Sequence, residues 1–402
     1  MMARKYQKYP LLFIVLTLIT TGCWNRKEVN EIVIATAMGI DKAEDGYFVS
    51  VQVVDPNEIA PKKGAGGGTP ITVYKEKGRT VFEAIRKMTK VSARKVYFAH
   101  LRMLLISEEL ARTEGIGKVI EFISRDHEFR EDFYLAISRG GSAEVILKGL
   151  TPIERIPANK MYASLKASEL AWSATGSLQI DELLTDLLTE GKSAVMSGIH
   201  YIGQADQAGK KKNLEVTEPY ALLKHYGLAI FHKDKLVGWL DEEESKGYNF
   251  MTGKVHDTVT VISCPKGQGY LAIEHTLKSS SIQVKWHDHS PQIRIQIYLE
   301  GNVGEALCKI DLDNPDTIKQ LEDIVEMTVE EYTKKTLSKS YALDTDIVGL
   351  GAAIHRSNPS GWKMLRENWS TRFKAIPVTV NVFSTLRFVG KTRNSLQDKI
   401  KE

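Results

Sequence analysis

The chain has a single long apolar stretch, and this stretch lies at its N-terminus. Three basic residues precede an apolar run over 11–19, and small residues follow as far as Gly22. A basic start, a short apolar core and a small-residue cleavage site are typical of a secretory signal peptide. The core has about half of the roughly 20 residues that span a bilayer, so a permanent transmembrane helix is not expected. The sequence therefore predicts that residues 1–22 are a leader and that the rest folds after export.

Cys23 follows Gly22 directly and changes the interpretation of the leader. This order resembles a bacterial lipobox, in which the cysteine carries a diacylglyceryl lipid through a thioether and the chain is cut just before it. Thr20 departs from the pattern, since leucine is usual there. The alternative is an ordinary signal peptide with a coincidental cysteine. Two acyl chains of the palmitate type would suffice for stable membrane attachment, and Cys23 is the predicted lipidation site.

Composition excludes several classes of protein. Of the 402 residues, 43% are hydrophobic and 26% are charged, which is typical of a globular protein and not of a disordered one. The leader holds three of the four excess positive charges, so the mature chain is nearly neutral. Because a nucleic-acid binder needs a basic face, no nucleic-acid partner is expected.

Apolar patterning predicts an α+β fold with several mixed or antiparallel sheets flanked by helices. An apolar run over 31–40 and an alternating run over 47–54 flank a turn, which predicts a β-hairpin. Apolar residues spaced by three and four predict a long helix from Asn314-Pro315 to about Ser338. The predicted organisation is a signal peptide over 1–22, an N-terminal α/β domain over 23–195, a middle domain over 196–268 and a C-terminal α+β domain over 269–402.

Several helix starts and faces can also be predicted from the sequence. Thr80 and Glu83 have the spacing of a capping box, in which each side chain satisfies the other residue's amide. Asp344 is predicted to cap a short helix. The pattern from about Ile156 to Glu190 is helical, and this segment is predicted to bury four leucines, which are Leu183, Leu184, Leu187 and Leu188.

The residue types that carry catalysis are not arranged as catalytic sites require. The chain has no Gly-x-Ser-x-Gly elbow and no His-Glu-x-x-His motif. The glycine-rich stretch over 61–68 lacks the Lys-Ser/Thr ending of a phosphate-binding loop. His287 and His289 form a close pair without a recognisable third metal ligand. The sequence therefore predicts no enzyme, no metal site and no cofactor.

The two other cysteines, Cys264 and Cys308, leave two interpretations open. They form a disulfide, which an exported protein allows, or they are separate thiols that behave as small buried hydrophobes.

Four stretches, taken in order, resemble the Ger(x)C lipoprotein family, which supplies the C subunit of the nutrient germinant receptors of endospore-forming bacteria. They are Gly22–Asn30 running into Met38–Lys42, Lys95–Arg102, Gly227–Gly247 with its Gly-Trp-Leu at 238–240, and Asp346–Gly351 followed by Trp362 and Asn368-Trp369. Together they span nearly the whole mature chain.

The resemblance implies a lipid-anchored protein on the outer face of the spore inner membrane. It would act there with membrane-embedded A and B subunits, in a complex that senses nutrients and triggers germination. The family is assigned no enzymatic activity, and only Cys23 matches a family residue of defined chemistry. The alternative is a solute-binding lipoprotein that captures a small-molecule germinant directly, for which a cleft between two similar lobes is expected.

Overall fold

The computed structural model describes residues 31–55, 68–265, 268–288 and 290–388, which form two β-sheets and their covering helices. The strands are β1 Ile32–Lys42, β2 Tyr47–Val54, β3 Ile71–Gly78, β4 Lys95–Tyr97, β5 Met103–Ser107, β6 Tyr134–Ser138, β7 Val195–Gly203, β8 Ala221–His232, β9 Lys235–Leu240, β10 Asp257–Ser263, β11 Tyr270–His287, β12 Ser290–Ala306 and β13 Val378–Phe388. The helices are α1 Val81–Lys87, α2 Glu108–Thr113, α3 Gly117–Arg125, α4 Ala143–Lys148, α5 Pro157–Ala171, α6 Ile180–Leu188, α7 Glu242–Thr252, α8 Pro315–Ala342, α9 Leu350–Ser357, α10 Pro359–Leu365 and α11 Trp369–Arg372. The predicted α+β class is confirmed.

The first sheet has nine strands in the order β3-β2-β1-β5-β6-β7-β8-β9, with β4 also paired to β1. Its centre, β1-β5-β6-β7, is parallel, and antiparallel strands extend it on both sides. Along β5 the side chains alternate between two cores: Leu104 and Ile106 face one, Met103 and Leu105 the other. Helices therefore cover both faces, as parallel strands require. The predicted hairpin of β1 and β2 is confirmed.

The second sheet has the order β10-β11-β12-β13 and is built around one long hairpin. β11 runs without a break from Tyr270 to His287, and its register against β12 shifts after Ala272 and again after Leu277. α8 packs against the sheet and protects its edge: Glu322 and Glu326 accept the backbone N–H groups of Leu386 and Ser384 in β13. Charged partners of this kind keep an edge strand from pairing with another chain.

The segment predicted as a middle domain, residues 196–268, forms no sheet of its own. Its strands β7–β9 belong to the first sheet and β10 belongs to the second. The reason lies in the second half of β8, which is buried on both faces. Ala229 and Phe231 pack into the first core, while Leu228 and Ile230 pack into the core of the second sheet. The sequence limits at 195 and 268 therefore do not coincide with the limits of the sheets.

The structure joins Cys264 and Cys308 in a disulfide, the first of the two interpretations left open by the sequence. Cys264 follows β10 and Cys308 follows β12, so the bond connects the ends of two strands that flank β11.

Reducing this disulfide is expected to destabilise the protein substantially. The bond closes a loop over a sequence separation of 44 residues, for which chain entropy predicts a loss of about 4 kcal/mol in the free energy of unfolding. Denaturant unfolding of Cys264→Ala, Cys308→Ala and the double variant should give similar losses, because either single change breaks the same bond. A reducing agent should weaken the wild-type protein and leave the double variant unaffected. Equal stability of all four proteins would contradict the bond.

Candidate functional site

A cleft lies where the parallel strands of the first sheet end. β1 ends at Lys42, β5 at Ser107 and β6 at Ser138, and the loop over 139–142 crosses their carboxyl edge. This edge of an open α/β sheet is where ligands commonly bind. A cavity of about 380 Å³ lies on one side of the loop, and a second of about 560 Å³ lies on the other.

The loop is held in place by a buried carboxylate of β1. Asp41 accepts hydrogen bonds from the backbone N–H groups of Ala143 at 2.7 Å and Glu144 at 3.1 Å. Ser142 accepts from Val145 and caps α4 in the standard way. Burial raises the pKa of the Asp41 carboxyl, although these two amides act in the opposite direction. Asp41 thus ties the start of α4 to the end of β1.

Glu108, the first residue of α2, lines the second cavity and accepts hydrogen bonds from three neighbouring residues. Its carboxylate accepts from the indole Nε1 of Trp239 at 2.9 Å, from the backbone N–H of Gly140 at 3.0 Å and from the Arg112 guanidinium. Burial alone would raise the pKa of Glu108, but these hydrogen bonds outweigh it and the pKa lies below its usual value. The ionised Glu108 therefore fixes the orientation of the Trp239 ring.

Arg139 contacts two aromatic rings at the mouth of the first cavity. Its guanidinium carbon lies 3.4 Å from the ring centroid of Tyr226 and 5.0 Å from that of Trp239. His200 makes an edge contact with Tyr226 at 5.8 Å. Burial, then the charges of Arg139 and Lys224, lower the pKa of His200, so this imidazole is neutral at pH 7. The arrangement presents one fixed positive charge and one neutral imidazole to the cavity.

Two glycines follow Arg139, and only the first adopts a backbone conformation that favours glycine. Gly140 has φ of +68°, a left-handed conformation that favours glycine. Gly141 has no such φ, and a Cβ placed there would meet no atom within 4 Å. No contact inside the described chain therefore requires the second glycine, which leaves open space beside the cavity.

A second constellation lies where the two sheets meet, around the buried carboxylate of Asp346. It accepts four hydrogen bonds of 2.8–3.0 Å: three from the backbone N–H groups of Gly349, Leu350 and Gly351, and one from the indole of Trp369. These contacts start α9. Complete burial outweighs them and raises the pKa of Asp346 to about 6.

The loop before β7 docks directly on this constellation. Ser193 donates its N–H to the Asp346 carbonyl, and the Gly191 carbonyl accepts from Ala352. A Cβ on Gly351 would lie 2.7 Å from the Gly191 Cα, so only glycine allows this approach. Glu190 adds a hydrogen bond from the Trp362 indole at 2.8 Å. The Asp346 constellation thus connects the first sheet to the helices of the second.

Of the site residues considered in the sequence analysis, only some lie in the described part of the chain. Cys23, the predicted lipidation site, and His289 lie outside the described residues, and His287 is the last residue of β11. In the described part of the chain no group of three or more His, Cys, Asp or Glu side chains could hold a metal ion. In the same part, no helix combines the length and apolarity needed to cross a membrane.

Sequence reasoning missed Arg139, Glu108 and the role of Asp346. Arg139 could have been found from the Gly-Gly pair that follows it just after a buried strand. Asp346 could have been found from the two glycines that lie three and five residues after it. Asp344, predicted as the cap, is exposed and pairs with Lys374; the carboxylate that caps α9 is two residues further on.

Comparisons with known proteins cover nearly the whole chain. A family model described as "Spore germination protein N-terminal domain" matches residues 25–201. A second, described as "Spore germination B3/ GerAC like, C-terminal", matches residues 226–390.

Individual relatives align from end to end. The chain is 27% identical over 398 residues to Spore germination protein KC of Bacillus subtilis (strain 168), which covers 98% of each chain. It is 25% identical to Spore germination protein B3 of the same organism, over 96% of this chain and 99% of that one. The crystal structure of the GerBC protein shares its fold, with a TM-score of 0.51 and 20% identity over 87% of this chain and 96% of that chain.

Replacing Asp346 by Asn should loosen the connection between the sheets. The side-chain NH2 group of the asparagine would face backbone N–H donors that now bind a carboxylate oxygen. Leaving buried donors without an acceptor in this way typically lowers the free energy of unfolding by about 3 kcal/mol. The free energy of unfolding should fall by that order in Asp346→Asn. The matched control is Asp344→Asn on the exposed surface nearby, which should change it by less than about 0.5 kcal/mol. Equal effects of the two substitutions would sink this account.

Asp346 should also make stability depend on pH in a defined window. Its pKa is about 6 in the folded protein against an ordinary value of 3.8. Between these values the folded state holds a proton that the unfolded state has lost, so this group's contribution to stability falls as pH rises from about 4 to 6. The difference in unfolding free energy between wild type and Asp346→Asn, measured across that range, should show this slope and level off above it. A difference that is flat or rises with pH would contradict it.

Proposed function

The chain belongs to the GerAC family of spore germination proteins, and from that premise we propose that it is the lipid-anchored C subunit of a nutrient germinant receptor. It would act with membrane-embedded A and B subunits on the outer face of the spore inner membrane to trigger germination. The observation that carries the proposal is the pair of family models, which together cover residues 25–201 and 226–390. Its relatives of similar length bear the names of spore germination proteins.

The sequence around Cys23 supports the anchoring part of the proposal. The first family model begins two residues after Cys23, so the leader lies outside the matched domain. Cys23 lies nine positions before the start of β1 at Ile32. An extended chain of that length spans at most about 30 Å, so a lipid on Cys23 would hold the amino end of β1 close to the bilayer.

No catalytic role is proposed. The carboxylates of the cleft are used in structural contacts. Asp41 accepts a backbone N–H group at the start of a helix, and Glu108 accepts hydrogen bonds from Trp239, Gly140 and Arg112. Among the described residues, neither carboxylate accepts a hydrogen bond from a hydroxyl or thiol that it could activate, as acid–base catalysis of acyl or glycosyl transfer requires. We propose action through binding and contact with partner subunits.

The alternative is a solute-binding lipoprotein that captures the germinant itself. The expected pair of similar lobes does not fit the two sheets, which have nine and four strands and different orders. The cavity beside Arg139 is the one observation that favours a small-molecule site.

Lipid anchoring is tested by replacing Cys23 with Ala. The variant should lose incorporation of labelled palmitate, leave the membrane fraction of spores and abolish the response to nutrient, measured as the fall in optical density. Gly22→Ala is the matched control, since a small residue before the cut is retained and processing should continue. Unchanged membrane location and response in Cys23→Ala would contradict the anchor.

The receptor proposal is tested by affinity purification of the tagged, lipidated chain from spore membranes. A multi-spanning A subunit and a transporter-like B subunit should be recovered with it in stoichiometric amounts. Recovery of the chain alone, with both subunits present in the membranes, would remove the support for a receptor complex.

A further inference from the structure

The positive charge of Arg139 has no negative partner in the described part of the chain. The guanidinium lies against the rings of Tyr226 and Trp239, and its side chain makes no hydrogen bond or ion pair with any other described residue. Other arginines near the cleft behave differently: Arg112, for example, binds the Glu108 carboxylate at 2.7 Å. An unpaired guanidinium at the mouth of a cavity is available to a ligand.

The ring contacts fix how Arg139 presents its hydrogen-bond donors. The five N–H groups of a guanidinium lie in its plane, around its edge, whereas aromatic rings occupy its faces. The Tyr226 ring lies 3.4 Å from the guanidinium carbon, and the guanidinium N–H groups have no acceptor among the described residues. They are therefore free to bind a carboxylate, which has the matching bidentate geometry. Trp239, which flanks the guanidinium, is itself held by Glu108 at 2.9 Å. The donor fork is thus oriented before any ligand arrives.

The cavity has the size and lining of a small-molecule site. Its volume of about 380 Å³ lies in the range typical of ligand pockets. Val145 and Ile146 line it with apolar groups, and Gly141 leaves room beside it. His200 also lines it, and its Nδ1 atom is buried without a hydrogen-bond partner among the described residues. The lining therefore offers one cationic anchor, one neutral polar group and an apolar wall.

We infer that this cavity binds a small organic carboxylate, with the carboxylate on the edge of the Arg139 guanidinium and the uncharged body against Val145 and Ile146. The apolar wall favours an organic anion over inorganic phosphate, which has no body to bury. The inference goes beyond the proposed receptor role and requires neither the lipid nor a partner subunit.

The test uses pairs of probes that share a shape and differ in charge: benzoate with benzamide, and succinate with succinamide. They are titrated against the full mature chain carrying Cys23→Ala, and binding is followed by ligand-observed NMR and calorimetry at pH 7. Each carboxylate should bind at least tenfold more tightly than its amide. Its affinity should also fall as salt rises from 50 to 500 mM, because an exposed ion pair is screened.

Variants then locate the binding. Arg139→Met should weaken carboxylate binding at least tenfold and erase the preference over the amide, whereas Arg139→Lys should retain part of the preference. Arg356→Met, on the exposed surface of α9, is the matched control and should bind as wild type does. Labelling of wild-type Arg139 by phenylglyoxal, located by mass spectrometry, should be slowed by benzoate and not by benzamide, which tests the site without any substitution. Equal binding of carboxylates and amides, unchanged binding in Arg139→Met, or unprotected labelling would overturn the inference.

Discussion

The Asp346 carboxylate, removed from water and surrounded by four N–H donors, is a central polar contact between the two sheets. Its hydrogen bonds from Gly349, Leu350 and Gly351 start α9 and hold the loop before that helix. The backbone carbonyl of Asp346 in this loop accepts the N–H group of Ser193. A buried carboxylate is costly unless its hydrogen bonds are complete, so the loop, the helix start and the Trp369 indole must all be in place together. The contact is therefore cooperative, and it fixes the loop from which β7 begins.

That position has consequences at the other end of the first sheet. β7 carries the hairpin of β8 and β9 on its outer edge, and β8 divides its side chains between both cores. The same hairpin brings Tyr226 and Trp239 to the carboxyl edge, where they contact Arg139. The cleft and the junction are thus two ends of one stretch of chain. A change that loosens the junction would be expected to shift the rings that orient the guanidinium.

Much of this could be predicted from local sequence, and the exceptions have physical reasons. Strand β1, the hairpin to β2, and the start of α8 at Asn314-Pro315 follow from period and capping, which are local properties. Leu188 was predicted to be buried but is exposed, because α6 buries the face that carries Ile180, Leu183 and Asp186 and Leu188 lies on the other side of the helix. Glu83 accepts from the amide of Arg79 and not from Thr80, a difference of one residue in the capping geometry. Neither the pairing of β8 with β7 nor the ring contact with Arg139 is local, since each joins residues far apart in sequence.

The length of β1 sets the distance between the cleft and the strand end that lies nearest the proposed anchor. β1 has eleven residues, which span roughly 36 Å in a β-strand. A lipid on Cys23 would hold the amino end of β1 near the bilayer, while Asp41, close to its carboxyl end, supports the loop of the cleft. If β1 stands away from the membrane, the Arg139 cavity opens on the side that solutes reach first. The proposed anchor and the inferred site are therefore compatible on one molecule, because a single strand keeps them apart.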